Sequence, residues 1–429
     1  MRASGPGVQQ LARRYVRSRT PLQPRIATYG EILNERGQLI DHGLVLFMQA
    51  PNTYTGEDVL EFHLHGSNAV MKEVLRALVA GGTRLAEPGE FTRRAFLNGK
   101  LDLHAAASVA DLIDAETQSA ALAAAANMSG ALGREVQALR ERLGRALEEL
   151  AGALDFPDEV PEPDREALLG EVQAVIEALH ALQAGWEAGR LMREGLGVAI
   201  VGPPNAGKSS LLNALLGEER ALVSEIAGTT RDTIEESIML GAVQVRLTDT
   251  AGIRESSDQL EGAGVSRSRR ALEQAQLLLV VVDGSRPFDE AARQVVESTR
   301  GLARIVFYNK ADLGSSAYAR RDPAEREAIS GSVYERQTLA VLRAEIEKCG
   351  WGDAVPTQRP HLASLRELDA VRAALSALEH AQGTLSSQEP ADFAAGDLQH
   401  AFAALGQLTG DAATEEMLDG VFARFCIGK

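Results

Sequence analysis

Hydrophobic positions change their period along the chain. Within "DVLEFHLHG", Leu60, Phe62 and Leu64 alternate with Glu61, His63 and His65, so a strand here puts one face in a core and leaves the other to water or a ligand. The unbroken apolar run "GLVLFM" reads as a buried strand, and with the helix-like pieces around it residues 1–98 are expected to form a small α+β unit. From Leu103 to about Arg193 the chain turns to Ala, Leu, Glu and Arg at helical spacing. It is broken at "DFPDEVPEPD", whose three prolines must end the helix. From "GVAIVG" onward short apolar runs alternate with helical segments: "VQVRLTDT", "QLLLVVVD" and "ARIVFYNK" each close on polar residues, the pattern of a parallel sheet covered by helices. After Trp351 the helical texture returns, with Leu362, Leu365, Leu368, Val371, Leu375 and Leu378 expected on one helix face. The fold class is α/β plus α+β: an α/β domain over 196–353 inserted into an α-helical domain made of 99–195 and 354–429, preceded by the α+β unit of 1–98.

Chemistry enters at "GPPNAGKSS", which follows a predicted strand and precedes the helical "SLLNALLG", and fits G-x-x-x-x-G-K-[ST]. Gly202 and Gly207 let backbone N–H groups close around phosphate oxygens at a helix N-terminus. Lys208 brings positive charge to the β/γ-phosphates and Ser209 offers a hydroxyl to magnesium. Asn205, Ala206, Gly207, Lys208, Ser209 and Ser210 are assigned to the nucleotide on this ground. "DTAG" (Asp249, Thr250, Ala251, Gly252) closes the next strand, where a carboxylate can meet the magnesium shell and Gly252 can offer an N–H to the γ-phosphate. "NKAD" supplies Asn309, Lys310 and Asp312; the Asp312 carboxylate can accept two hydrogen bonds from guanine that adenine cannot make, so the nucleotide is read as GTP. The loop that backs the base is expected at "ISGS" (Ile329–Ser332). Ile253 stands where many regulatory GTPases carry the glutamine that orients water, so another residue must do so here.

Bulk properties narrow the setting. A length of 429 residues allows two to four domains, and 45% hydrophobic with 24% charged residues is ordinary for a globular chain. No apolar run reaches the roughly 18 residues of a membrane span and the first residues carry no secretory pattern, so a cytoplasmic location without membrane contact is expected. Two cysteines, Cys349 and Cys426, cannot form a disulfide framework. A net charge of -16 argues against nonspecific coating of nucleic acid, although Arg2, Arg13, Arg14, Arg17, Arg19 and Arg25 all precede the first acidic residue, Glu31. His63 and His65, two apart, fall short of a tetrahedral zinc site without further clustered ligands.

With "SEIAGTTRD", "NTYTGEDVLEF", "EPGEFTRRAFLNGKLDL", "LIDA", "DFPDE", "MREG" and the terminal "CIGK", the motif set resembles the MnmE (TrmE) family of tRNA modification GTPases over nearly the whole chain. Members usually begin with a strand and a "PPG"-like turn before the block matched by Arg2–Gly5, so an N-terminus shortened against the family is expected here. The resemblance implies that Ser224, Glu225, Ile226, Ala227, Gly228, Thr229 and Thr230 join the GTP site. It further implies a potassium ion held by Asn205 and Thr229 through side chains and by Ser224 and Ile226 through carbonyls, a magnesium ion on Ser209 and Thr230, and Glu261 as the group that orients water. A fixed cation there would offset transition-state charge as an arginine finger does elsewhere.

The same resemblance implies a homodimer, a folate site formed by Arg2, Glu61, Lys100 and Lys429, and a role in tRNA modification for Cys426. Glu61 suits the N–H groups of a pterin, and Arg2 and Lys100 suit the ligand's carboxylates. The implied reaction is carried out with the FAD-dependent partner MnmG in a heterotetramer-type complex. It installs an aminomethyl or carboxymethylaminomethyl group on C5 of the wobble uridine of certain tRNAs. The one-carbon unit would come from 5-formyl- or 5,10-methylene-tetrahydrofolate and the nitrogen from glycine or ammonium. "CIGK" is no prenylation signal, because lysine is not an accepted last residue. Cys426 reads either as a small hydrophobe beside Phe422 and Phe425 or as a thiolate favoured by Arg424 and Lys429, and Cys349 is taken as structural. Two other readings remain: a GTP-dependent assembly switch on ribosomal RNA or another partner, which needs neither Cys426 nor a folate site, and a folate-dependent transferase with a merely regulatory GTPase.

Overall fold

The computed structural model describes residues 1–115, 117–156, 158–161, 163–217, 235–240, 243–249, 275–314, 328–351, 361–387, 390–423 and 425. In chain order the elements begin with β1 (Arg2–Ser4), α1 (Val8–Tyr15), β2 (Val16–Arg17), β3 (Thr28–Leu33), β4 (Leu39–Met48), β5 (Val59–His63), α2 (Asn68–Ala80) and α3 (Glu90–Leu97). Helices α4 (Leu103–Ile113), α5 (Gln118–Met128), α6 (Ala131–Asp155), α7 (Arg165–Ala184) and α8 (Trp186–Glu194) follow. Next come β6 (Leu196–Val201), α9 (Lys208–Gly217), β7 (Glu235–Leu240), β8 (Val243–Asp249), β9 (Leu277–Asp283), α10 (Glu290–Ser298), β10 (Arg304–Asn309), β11 (Ile329–Ser330) and α11 (Arg336–Trp351). The chain closes with α12 (Leu365–Ser386), α13 (Phe393–Thr409) and α14 (Glu415–Phe422). Residues 1–115, 124–184 and 359–429 form one compact unit, and 116–123 and 185–358 the other.

In the first unit the strands make an antiparallel sheet in the order β1-β5-β4-β3-β2. Its core joins Leu11 and Tyr15 of α1, Val74 and Leu78 of α2, and Val45, Phe47, Leu60 and Phe62 of the sheet. The alternation in β5 is as expected, with Leu60 and Phe62 buried and His63 exposed. "GLVLFM" differs: Val45 and Phe47 are buried, but Leu44 is 45% exposed and lies in register with Tyr29, which is 65% exposed. An antiparallel sheet packed by helices on one side buries alternate residues, and an apolar run by itself does not reveal that its second face is open.

The helical part of the same unit is a bundle in which α12 packs along α7 and α13, and α13 along α6. The proline-rich segment falls between α6 and α7. Leu368, Val371, Leu375 and Leu378 line the buried face of α12, but Leu365, expected among them, is 65% exposed. It is the first helical residue after the cap Ser364, whose side chain accepts the N–H of Glu367, while Leu362 is buried ahead of the helix rather than on it. Glu367 itself is buried; its Oε2 accepts the Ala363 N–H at 2.6 Å and its Oε1 lies 3.1 Å from Nδ1 of the buried His104 on α4. Phe422 and Phe425 pack with Leu103, Ala106 and Val109 of α4.

The second unit is a six-stranded sheet in the order β11-β10-β9-β6-β8-β7. Within β9, Leu277, Leu279 and Val281 enter the core on one face, with Leu211, Leu215 and Ile346, while Leu278, Val280 and Val282 enter the core on the other, with Val296 and Val306. Burial on both faces explains why this strand reads as a continuous apolar run. The sheet is parallel except at β7, which runs antiparallel to β8. Only Gly241 and Ala242 separate these strands in sequence, and so short a link can join only antiparallel neighbours; the sheet is therefore mixed rather than wholly parallel. Cys349, near the end of α11, is exposed rather than packed.

Candidate nucleotide-binding site

The carboxyl ends of adjacent strands converge on one edge of the second sheet, the position where open α/β sheets hold their ligands. The loop after β6 leaves the sheet pressed against β9: a Cβ on Gly202 would lie 2.2 Å from the Val281 carbonyl oxygen. Asn205 and Gly207 both have positive φ, 62° and 99°, and α9 starts immediately afterwards at Lys208. Lys208 Nζ donates to the carbonyls of Gly202 and Pro203 at 3.0 and 2.9 Å, and Ser209 and Ser210 are exposed in the first turn of α9. A helix N-terminus carrying a lysine and hydroxyls is built to receive phosphate.

The base-reading motif is interlocked with this loop. Asn309, buried at the end of β10, donates from Nδ2 to the Ala206 carbonyl at 3.0 Å and accepts the Val333 N–H on Oδ1 at 3.1 Å. Lys310 Nζ reaches the Asn205 carbonyl at 2.6 Å and the Asp283 carboxylate at 2.8 Å. Asp312 is exposed in the short turn Ala311–Leu313. The "ISGS" segment lies alongside, with the Ala311 N–H donating to the Gly331 carbonyl at 3.1 Å and Ser332 fully buried. Asp249 closes β8 with its backbone opposite Ile200 of β6. Ser224, Glu225, Ile226, Ala227, Gly228, Thr229, Thr230, Thr250, Ala251, Gly252, Glu261, Cys426 and Lys429 lie outside the described residues.

Asp283 was visible in the sequence only as the polar close of "QLLLVVVD", and it is the residue that sequence reasoning left without a role. Its Oδ1 accepts both the N–H and the Oγ–H of Ser285, at 3.0 and 2.6 Å. Burial opposes its charge, but the bonds from Lys310 and Ser285 hold the carboxyl below the usual range.

In the first unit the register of β1 on β5 sets Arg2 opposite Glu61. Arg2 Nε donates to Glu61 Oε1 at 2.8 Å, and the guanidinium lies 5.9 Å from the Tyr54 ring centroid and 5.6 Å from that of Phe91. Lys100 approaches the same loop as Tyr54, its Cε 3.3 Å from where a Cβ on Gly56 would sit. His63 Nε2 is 3.5 Å from Glu61 Oε2, whereas His65 Nδ1 turns to Asp41 at 2.8 Å. Beside β1 is a cavity of about 670 Å³ lined by Arg2, Ser4, Leu78, Arg84, Phe91 and Arg94 among others. Its polar wall is a network: Glu90 accepts from Arg84 and Arg94, and Arg94 also donates to Glu57 at 2.8 Å and to the Ser4 carbonyl at 3.3 Å. Burial works against the Glu90 charge, yet Arg84, the Glu87 N–H and Arg94 hold its carboxyl down to about 2.

Comparison with known proteins covers both units. A family model described as the MnmE helical domain matches residues 103–426, and one described as the GTP-binding protein TrmE N-terminus matches residues 1–100. Three proteins named tRNA modification GTPase MnmE are similar along most of their length. That of Acaryochloris marina is 42% identical over 91% of this chain and 86% of its own. Those of Synechococcus elongatus and Aquifex aeolicus are 40% and 39% identical over 100% of this chain and 95% and 96% of theirs. The chain belongs to the MnmE (TrmE) family of tRNA modification GTPases.

Proposed function

We propose that the chain hydrolyses GTP to GDP and phosphate in the course of tRNA modification, with potassium stimulating the hydrolysis and a folate one-carbon unit supplying the carbon that is added. The observation that carries the GTPase reading is the joining of the phosphate loop to the guanine motif by Asn309 on Ala206 and Lys310 on Asn205. Lys208 and the α9 N-terminus would receive the phosphates, and Asp312 the base.

Two described residues, Ser209 and Asn205, support the ion sites. Ser209, an exposed residue at the start of α9, would bring its hydroxyl to magnesium together with Thr230. Asn205 gives its backbone carbonyl to Lys310, so its side-chain oxygen is left for potassium, shared with Ser224, Ile226 and Thr229. A cation held there would offset charge that develops on the phosphates. Glu261 would orient the attacking water in place of Ile253, and two copies of the GTPase domain would meet across the nucleotide in the homodimer.

Contacts of Arg2 and Lys100 support the folate reading. Arg2 is hydrogen-bonded to Glu61, so its part is to orient that carboxylate toward a pterin. Lys100 is then the cation left for the ligand's carboxylates, with Lys429 as a further one. Cys426, on the same terminal tail as Lys429, would take part in the tRNA modification, and MnmG would supply the flavin for the aminomethyl or carboxymethylaminomethyl transfer to the wobble uridine. Among the described residues no helix is long and apolar enough to cross a membrane.

The deciding experiment measures phosphate release from GTP by the full chain in matched potassium and sodium buffers, then follows tRNA modification with MnmG, folate and glycine. Hydrolysis at least several-fold faster in potassium, with modified uridine formed, is expected. Equal rates in the two salts would remove the potassium assignment, and hydrolysis without any modified uridine would favour an assembly switch.

A further inference from the structure

We propose that Asp283 is a positioning residue for guanine nucleotide: through Lys310 it fixes the phosphate loop and the base-reading motif as one unit. The inference rests on the GTP reading above and assigns a role to a carboxylate that no motif includes.

The geometry runs in one line. Asp283 Oδ1 is tied down by Ser285, leaving Oδ2 to take Lys310 Nζ at 2.8 Å, and the same Nζ holds the Asn205 carbonyl at 2.6 Å. In a trans peptide the C=O and the following N–H point opposite ways, so drawing the Asn205 carbonyl toward Lys310 turns the Ala206 N–H into the loop. There it meets the Pro203 carbonyl at 3.4 Å, a distance too long to compete with a phosphate oxygen. Asn309 does the same for Gly207 through the Ala206 carbonyl, while Lys208 takes those of Gly202 and Pro203. Three side chains grip the loop, and the aim of Lys310 is set by the Asp283 carboxylate.

Three further facts favour a directed role. Lys310 has φ 68°, a left-handed conformation that a side chain rarely adopts without compensation, and it places the amine between β9 and the loop. Among the described residues Arg286 also approaches Asp283, at 3.8 Å, so Lys310 at 2.8 Å holds the closer place. The Asp283 carboxyl is held below the ordinary range, so it stays ionised at neutral pH and the ion pair persists there.

The test is a double-mutant cycle on the full chain, read as the Kd of a fluorescent GDP analogue and as kcat and KM for GTP, with thermal melts as a control on folding. Asp283→Asn keeps the shape and the acceptor for Ser285 but not the charge. It should raise Kd and KM about tenfold while kcat at saturating GTP changes less than about twofold. In a Lys310→Met background the same substitution should change Kd by less than about twofold, and Asp283→Glu should recover part of the wild-type affinity. Wild-type Kd in Asp283→Asn, an undiminished effect in the Lys310→Met background, or a loss confined to kcat or melting temperature would overturn the proposal and leave the GTPase reading standing. A wild-type chain that binds no guanine nucleotide would remove both.

Discussion

Asn309 reaches from the end of β10 to the Ala206 carbonyl, 3.0 Å away, and its Nδ2 would lie 2.3 Å from a Cβ on Gly207. The base motif and the phosphate loop thus touch through a gap that only glycine leaves open. Two motifs that are about a hundred residues apart in sequence are one structural object here.

Gly207→Ala therefore fails twice. The φ of 99° disfavours any side chain at a cost of about 1 to 3 kcal/mol, and the new methyl drives Asn309 off Ala206. GTP affinity should fall at least about tenfold, with a modest loss of melting temperature. Titration with a fluorescent GTP analogue and a thermal melt check both; near wild-type affinity would show that Asn309 is free to move.

The buried pair His104 and Glu367 makes the helical bundle sensitive to pH. Burial opposes both charges, but each partner's charge and the shared hydrogen bond prevail, holding Glu367 down to about 2 and His104 above its usual value. Glu367's contribution, on the order of 3 kcal/mol, is present above its unfolded pKa and is lost as pH falls from about 4.5 towards 2. His104's contribution has the opposite sense: complete below its unfolded pKa near 6.5, it is lost as pH rises through the raised folded value. Urea unfolding across pH should show stability falling at both ends. Glu367→Gln should be less stable by about 3 to 5 kcal/mol at neutral pH and should flatten the acid limb; an unchanged acid limb would place the titration elsewhere.

Much of this molecule is written locally. The glycines and lysine at "GPPNAGKSS" and the polar closes of the apolar runs are short-range signals, because phosphate binding needs glycine and a cation at fixed offsets from a strand end. What was not legible depends on who stands beside whom. An apolar run has no direction, so the antiparallel β7 could not be told from its parallel neighbours. The open face at Leu44 and Tyr29 follows from helices packing on one side of a sheet, and the exposure of Leu365 from its place at the very start of α12. Asp283 meets Lys310 only because β9 and β10 are neighbours, and His104 meets Glu367 across 263 positions of chain.

A third outcome concerns potassium. With Asn205 held by its carbonyl, Asn205→Ala should keep the course of the loop, at a cost of about 1 to 2 kcal/mol for alanine at φ 62°, and remove the side-chain oxygen proposed for the ion. Its kcat in potassium should fall to about the wild-type value in sodium, with the GDP Kd changed less than about threefold. A variant that still responds to potassium as the wild type does would take Asn205 out of the cation site.

The last outcome concerns the N-terminal site, where strand register and a salt-bridge network cooperate. Arg2 is placed on Glu61 by the β1–β5 register, and β1 is in turn held by Arg94 through the Ser4 carbonyl and by Ser4 Oγ, which donates to Glu57 at 2.8 Å. Arg94 keeps its own aim through Glu57 and Glu90, so removing it leaves two carboxylates short of a partner and loosens a three-residue edge strand. Arg94→Ala should therefore weaken binding of 5-formyltetrahydrofolate by about tenfold or more, although the contacts of Arg94 are to Ser4, Glu57 and Glu90 rather than to Arg2 or Glu61. Glu61→Ala should abolish that binding, because it removes the acceptor offered to the pterin. Neither substitution should move the GDP Kd. Calorimetric titration with the folate beside a nucleotide titration separates these results: folate affinity unaffected by Glu61→Ala would place the ligand away from Arg2 and Glu61, and a matching loss of GDP affinity would mean that the variants had simply misfolded.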